Sequence, residues 1–158
     1  MSFYFAYGSN LNKKQMLVRM QFSCCEIPAG TAKLLGSATL PNYKLDFSTP
    51  DAHKKGAGYA NIHRFKGQAV HGAIYEVDRV GFARLDVYEC VPKLYKRTKV
   101  NVVLSTGVIV RAFVYIGNKK LTKPDLKPTK RYLKRILLGR STLPKDYSKE
   151  LAKTITVD

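Results

Sequence analysis

Val108, Val110, Ala112, Val114 and Ile116 occupy every second position of GVIVRAFVYI (107–116). That strict period of two constrains the chain more than any other feature. Successive side chains of a strand point to opposite faces, so these five share one buried face. The preceding segment YKRTKVNVVL (95–104) has the composition of a second strand, and Ser105-Thr106-Gly107 can turn the chain between them. An isolated hairpin is only marginally stable in water, so it requires partner strands. The upstream sequence supplies them. TAKLLGSATL (31–40) and YKLDFS (43–48) read as strands with Pro41-Asn42 as a turn. YANIH (59–63) and AVHGAIYEV (69–77) read as two more, turning around Lys66-Gly67. STPDAHKKGAG (48–58) has loop composition, and YFAYGSN (4–10) opens as an apolar strand.

Four helices are expected around about seven strands. Asn12 can cap the first, with Gln15 three residues on and Met16, Leu17 and Met20 as its apolar stripe. Asp78 can cap the second, DRVGFARLDVYE (78–89), which Cys90, Val91 and Pro92 terminate. Pro128 can start the third, with Tyr132, Leu133, Ile136 and Leu137 inward and Gly139 as its C′ residue. Leu143-Pro144 begins the last, with Tyr147 and Leu151 one turn apart. Strands that mostly follow one another, with helices at their flanks, predict an α+β fold with a curled or closed mixed β-barrel. A chain of 158 residues without internal repeats fits one domain over residues 1–158.

Several classes are disfavoured. No apolar run approaches the roughly 18–20 residues that cross a membrane. No secretory leader pattern is present, so a cytoplasmic protein is expected. Cys24, Cys25 and Cys90 are odd in number, and His53, His63 and His71 are scattered, so neither a disulfide framework, a metal site nor a cofactor is expected. The net charge of +17 is densest between Lys119 and Arg140. It suits either an anionic partner such as nucleic acid or a solvated basic face. No RNA-binding aromatic signature or zinc-finger spacing accompanies it, which favours the solvated face.

Two features call for chemistry. The opening strand ends in Gly8-Ser9-Asn10, three small residues able to present bare backbone. In the second helix Phe82, Leu85 and Glu89 lie on one stripe, so an apolar face ends in a carboxylate. Glu89 is either solvated at a frayed end, paired there with Lys93 or Arg97, or it is a partly buried general acid/base. Burial disfavours a charged carboxylate and suits it to proton transfer. Of the four glutamates, Glu76 on a strand is the one close rival. Ser9 has no histidine near it in sequence, so nothing favours it as a nucleophile.

Those two features occur together in a known family. The chain resembles the γ-glutamylcyclotransferases, within the broader group of γ-glutamylamine cyclotransferases and plant avirulence-induced proteins. The resemblance rests on YFAYGSNL (4–11), YKLDFS, GYANIH with VHGAIYEV, LDVYECV (85–91) and PTKRYLKRILLGRSTLPKDYSKEL (128–151). It covers nearly the whole chain and implies a small-molecule γ-glutamyl substrate. By resemblance Glu89 is catalytic, Tyr4, Phe5, Ala6, Tyr7, Gly8, Ser9 and Asn10 bind the glutamyl end, and Tyr95 and Tyr132 line the pocket. The implied reaction is closure of 5-oxoproline with loss of an amino acid or amine, without cofactor or metal. The same reaction on γ-glutamylamines, or trimming of a biosynthetic intermediate, is the neighbouring reading. A non-catalytic basic module for nucleic acid or an acidic partner is the reading of another class, and a homodimer is compatible with either. The chain departs from the family at Cys90, where glycine is common.

Overall fold

The structure, a computed structural model, describes residues 1–22 and 26–158, so Cys24 and Cys25 lie outside the described residues. Five strands, β1 (Ser2–Ala6), β2 (Ala32–Pro50), β3 (Gly58–Val77), β4 (Tyr95–Leu104) and β5 (Ile109–Gly117), form a closed barrel in the order β1-β3-β2-β4-β5. The barrel closes through the parallel pairing of β1 with β5 at Tyr4 and Phe113, while the other four seams are antiparallel. This is the mixed closed barrel the sequence predicts, built from fewer and longer strands.

Both expected turns in the middle of the chain are bulges. Pro41 pairs with Ala69 and Tyr43 with Arg64, so Asn42 alone stands opposite residues 65–68. Asn42 and Gly67 take positive φ (60° and 86°), a region asparagine and glycine tolerate, and the Gly67 amide donates to Asn42 Oδ1 at 3.1 Å. Extra residues on one strand bend a ribbon without breaking it. The sequence signal at these positions was therefore real, but it marks the curvature a small closed barrel needs.

The helices match in number. In α1 (Lys13–Gln21) the Asn12 side chain accepts from the Lys14 and Gln15 amides, and Met16 and Met20 are buried while Leu17 is exposed. The expected three-residue stripe thus reduces to two, because the helix touches the barrel along a narrow line. Asp78 caps α2 (Arg79–Tyr88) by accepting from Gly81 N at 2.6 Å. Thr129, one residue after Pro128, caps α3 (Lys130–Leu137), and α4 (Lys145–Ala152) follows Pro144. Gly139 does not serve as a left-handed helix end, since its φ is −95°. It is needed for a close approach: a Cβ there would stand 2.3 Å from the Leu11 carbonyl carbon. This contact seats the end of α3 on the turn that follows β1.

Arg84 of α2 is fully buried and has no carboxylate partner among the described residues. Its guanidinium donates to the carbonyls of Arg19 (2.7 Å), Phe22 (2.8 Å), Ile27 (2.7 Å) and Pro28 (3.0 Å). A charged donor to a carbonyl contributes about 1.5–3 kcal/mol, and leaving such a group unpaired in the interior costs more. Arg84 therefore clamps the end of α1 to α2, which brings two distant stretches of sequence to one end of the barrel. No described helix is long and apolar enough to cross a membrane.

Candidate active site

At that end lies a small open cleft with a cavity volume of about 30 Å³. It is lined by Tyr4, Tyr7, Gly8, Ser9 and Asn10 from the opening segment, Ala60 of β3, Glu89 after α2, Tyr95 and Tyr115 of β4 and β5, and Tyr132 of α3. Eight of the residues the sequence nominates thus meet in one place. Phe5 and Ala6 do not line it. Both are fully buried in the core, and the Phe5 ring packs over Gly72. An opening strand buried on both faces leaves only part of its residues for a pocket at its end.

Gly8 owes its lack of a side chain to close packing. The chain turns at Gly8 into a single 3₁₀ turn, Ser9–Leu11, in which Leu11 N donates to Gly8 O at 3.0 Å. The first amides of such a turn have no acceptor inside it. A Cβ on Gly8 would sit 3.2 Å from the Ala60 Cβ and 3.3 Å from the Tyr132 hydroxyl, closing the floor of the pocket.

Glu89 is neither frayed nor solvated. It is the C-cap of α2, with its amide donating to Leu85 O at 2.8 Å. Cys90 N donates to Val87 O at 3.1 Å and Val91 N to Asp86 O at 2.9 Å, the paired bonds of a Schellman ending. Such a motif needs a left-handed residue at C′, and Cys90 supplies it with φ 49°. The Glu89 side chain is 16% exposed. Its partner is neither Lys93 nor Arg97; Arg97 pairs with Asp86 at 3.1 Å. Glu89 Oε1 instead accepts from Arg19 Nη1 at 2.8 Å and from Asn10 Nδ2 at 3.3 Å. The rival Glu76 lies elsewhere, on β3 beside Lys99 and Arg111.

Ser9 Oγ is 3.5 Å from Arg19 Nη2, so its neighbour is a donor and not a base. That arrangement does not activate a serine nucleophile. Among the described residues no cluster of three or more His, Cys, Asp or Glu side chains could hold a metal ion.

Tyr7, Tyr75, Tyr95 and Tyr132 tie their hydroxyls to backbone, whereas Tyr4 meets the Asn10 side chain and Tyr115 donates to Asp86 Oδ1 at 2.7 Å. Tyr7 donates to Tyr115 O, Tyr95 donates to Ala60 O at 2.7 Å, and Tyr132 accepts from Ala60 N at 3.2 Å. Tyr4 accepts from Asn10 Nδ2 at 2.8 Å, and Tyr75 donates to Asn10 O at 3.1 Å. Burial, reinforced by the Glu89 charge, pushes the Tyr4 phenol well above its ordinary range. Burial and then the neighbouring tyrosines, with Glu89, do the same to Tyr7 and Tyr95. Burial pushes Tyr132 up to about 12. All four phenols are therefore neutral near pH 7, and the site holds one carboxylate and one guanidinium among neutral donors and acceptors.

Sequence reasoning missed Arg19, Ala60 and Tyr115. Arg19 reads as an ordinary helix-surface cation, Ala60 carries no chemistry of its own, and Tyr115 falls in a strand whose other face set the pattern.

The profile of the family described as gamma-glutamyl cyclotransferase, AIG2-like, matches residues 4–134. A solved structure described as gamma-glutamyl cyclotransferase superposes with a TM-score of 0.84 at 25% identity, covering 99% of this chain and 89% of that one. An uncharacterized human protein gives 0.83 at 25% identity with the same coverage. An AIG2-like protein from mouse gives 0.59 at 26% identity, covering 80% of this chain and 82% of that one. No curated protein matches the sequence.

Proposed function

The chain belongs to the gamma-glutamyl cyclotransferase, AIG2-like family, and from that membership we propose that it cyclises a γ-glutamyl group to 5-oxoproline with release of an amino acid. The observation that carries this reading is the meeting of the Glu89 carboxylate and the Gly8-Ser9-Asn10 turn in one tyrosine-lined pocket. In this reaction the substrate's own α-amine attacks its γ-carbonyl, so the protein needs no nucleophile of its own.

Three tasks remain for the protein. The pocket holds the substrate bent so that amine and carbonyl meet, which is worth about 7 kcal/mol or more in favourable intramolecular systems. Backbone amides of the turn stabilise the oxygen that becomes negative as the ring closes, at roughly 3 kcal/mol for each well-placed donor. Glu89 accepts in turn the two protons that the attacking ammonium loses on becoming the lactam N–H and returns them to the leaving nitrogen, which departs as an ammonium. The C–N bond to the leaving group then breaks and the lactam departs.

An amino acid as leaving group is supported by α3 and α4, which belong to the C-terminal block that resembles the enzymes for γ-glutamyl amino acids. The chain-long superposition on a gamma-glutamyl cyclotransferase points the same way, since the mouse AIG2-like protein matches a shorter part. The test is to incubate the protein with γ-glutamyl dipeptides, γ-glutamyl-lysine and glutathione and to quantify 5-oxoproline. Release from the dipeptides is the expected result. Release from γ-glutamyl-lysine alone would reassign the leaving group, and release from none would overturn the reading.

A further inference from the structure

We propose that Arg19 is a positioning residue that fixes which oxygen of Glu89 does the chemistry. This inference rests on the cyclotransferase reading above. Arg19 Nη1 and Asn10 Nδ2 both donate to Oε1, at 2.8 and 3.3 Å. Among the described residues nothing bonds Oε2. Two donors on one oxygen set the rotation of the carboxylate, leave Oε2 unclaimed, and make it the atom that exchanges protons with substrate.

The guanidinium is itself held on three sides. Arg84 Nε donates to the Arg19 carbonyl at 2.7 Å, fixing the backbone from which the side chain extends. Tyr88 lies under the guanidinium, with its ring centroid 5.0 Å from the Arg19 Cζ. Nη2 reaches toward Ser9 Oγ, 3.5 Å away. The side chain is 12% exposed, and its Nε is buried with no partner among the described residues. A buried N–H without an acceptor is destabilising. Packing alone would favour methionine at this position, so the guanidinium is accounted for by what Nη1 and Nη2 do at the site.

The charged and titratable groups that face Glu89 are few. Tyr4 from β1, Tyr7 after it, Tyr95 from β4 and Tyr132 from α3 all feel its charge, and burial keeps them neutral. Arg19 is thus the one cation bonded to the carboxylate among the described residues. Its removal frees the carboxylate to rotate and to turn toward Asn10 or Tyr4. Misplacement of a reacting group by about 1 Å lowers a rate on the order of 100-fold.

The experiment compares wild type with Arg19→Met, Arg19→Lys and Arg19→Ala, measuring kcat and KM for 5-oxoproline release and a thermal melt for each. Arg19→Met is expected to lose kcat on the order of 100-fold with KM changed far less. Arg19→Lys should recover part of the loss, because an ammonium restores charge but not the fork geometry. Millimolar guanidinium should restore Arg19→Ala and leave wild type unchanged. Unchanged kcat in Arg19→Met would overturn the proposal, and so would a loss that tracks only the melting temperature and resists guanidinium. If wild type releases no 5-oxoproline, the cyclotransferase reading fails, and positioning is then read by spectroscopy. With ¹³Cδ-labelled glutamate, the Glu89 carboxyl resonance is assigned by its absence in Glu89→Gln. It should move in Arg19→Met and return toward wild type in Arg19→Lys. A resonance that does not move overturns the proposal without reference to activity.

Discussion

Replacing Cys90 by glycine is expected to stabilise the protein and leave the site intact. Cys90 sits at φ 49° at the end of α2, in the position where the Schellman motif requires a left-handed residue. Left-handed backbone costs an L-residue about 1–2 kcal/mol because Cβ crowds the following carbonyl. Glycine escapes that cost but gives up about 0.5–1 kcal/mol of extra unfolded-chain entropy. The side chain is exposed, so its removal leaves no cavity. The difference is a gain of about 0.5–1 kcal/mol. For a chain of 158 residues that corresponds to a rise in melting temperature of roughly 1–4 °C. Calorimetry of both proteins at one pH and concentration reads it directly, and 5-oxoproline release should stay within twofold of wild type. A fall in melting temperature would refute the reasoning, because it would mean that the cysteine side chain contributes more than its backbone strain costs. Cys90→Val provides the opposite arm: a β-branched residue fits this region worst, so it should destabilise and, as the neighbour of Glu89, lower kcat.

The other expectations are as follows. Glu89→Gln should fold and melt like wild type within a few degrees yet lose turnover by about 10²–10⁴-fold, measured as 5-oxoproline per enzyme under single-turnover conditions. Gly8→Ala should press on the Ala60 Cβ (3.2 Å) and the Tyr132 hydroxyl (3.3 Å); activity should drop far more than the melting temperature, and unchanged activity would show that the pocket floor has room. Asp78→Ala should cost about 0.5–2 kcal/mol near pH 7 through loss of the α2 cap. Burial pushes the Asp78 carboxyl up, but amide bonds from Thr31 and Gly81 outweigh this and hold it below its ordinary value of 3.8. Its contribution is therefore complete above about pH 4 and lost as pH falls through the lower folded value. Urea unfolding of wild type and variant should converge in that acidic window; a constant gap would assign the effect to something other than the charged cap.

The sequence made the barrel legible where a strand buries one face. The β5 alternation predicts the burial of Ala112 and Val114 but not the exposure of Val108, which lies before the strand, nor the burial of Tyr115 on the opposite face; the helix caps Asn12 and Asp78 act as their residue types require. It misread the β2–β3 ribbon because Pro41-Asn42 and Lys66-Gly67 carry the same composition whether the chain reverses or merely bends. Only pairing across the ribbon, a long-range property, distinguishes the two. Glu89 was visible as a carboxylate on an apolar stripe, but periodicity could not say what it faced. Its partner Arg19 lies 70 residues earlier, and their meeting depends on Arg84 gripping carbonyls that belong to no motif.

The tyrosines explain why such a site persists at the end of an apolar barrel. A polar pocket there is costly unless each buried hydroxyl finds a partner. Ala60 answers two of them with the backbone of one residue, its carbonyl accepting from Tyr95 and its amide donating to Tyr132. These two bonds join β4 and α3 to β3 at the pocket wall, so substrate-lining residues and fold-holding residues are the same atoms. Removing either hydroxyl leaves a backbone group of Ala60 unpaired, at about 1–3 kcal/mol, and a tyrosine-to-phenylalanine change here cannot separate binding from stability. At Glu89 the bonded oxygen is Oε1, and its partners Arg19 and Asn10 are side chains and not backbone. Glu89→Gln keeps an oxygen for Arg19 and Asn10 and opens no backbone hydrogen bond, so chemistry can be removed there with less disturbance of the frame than at Tyr95 or Tyr132.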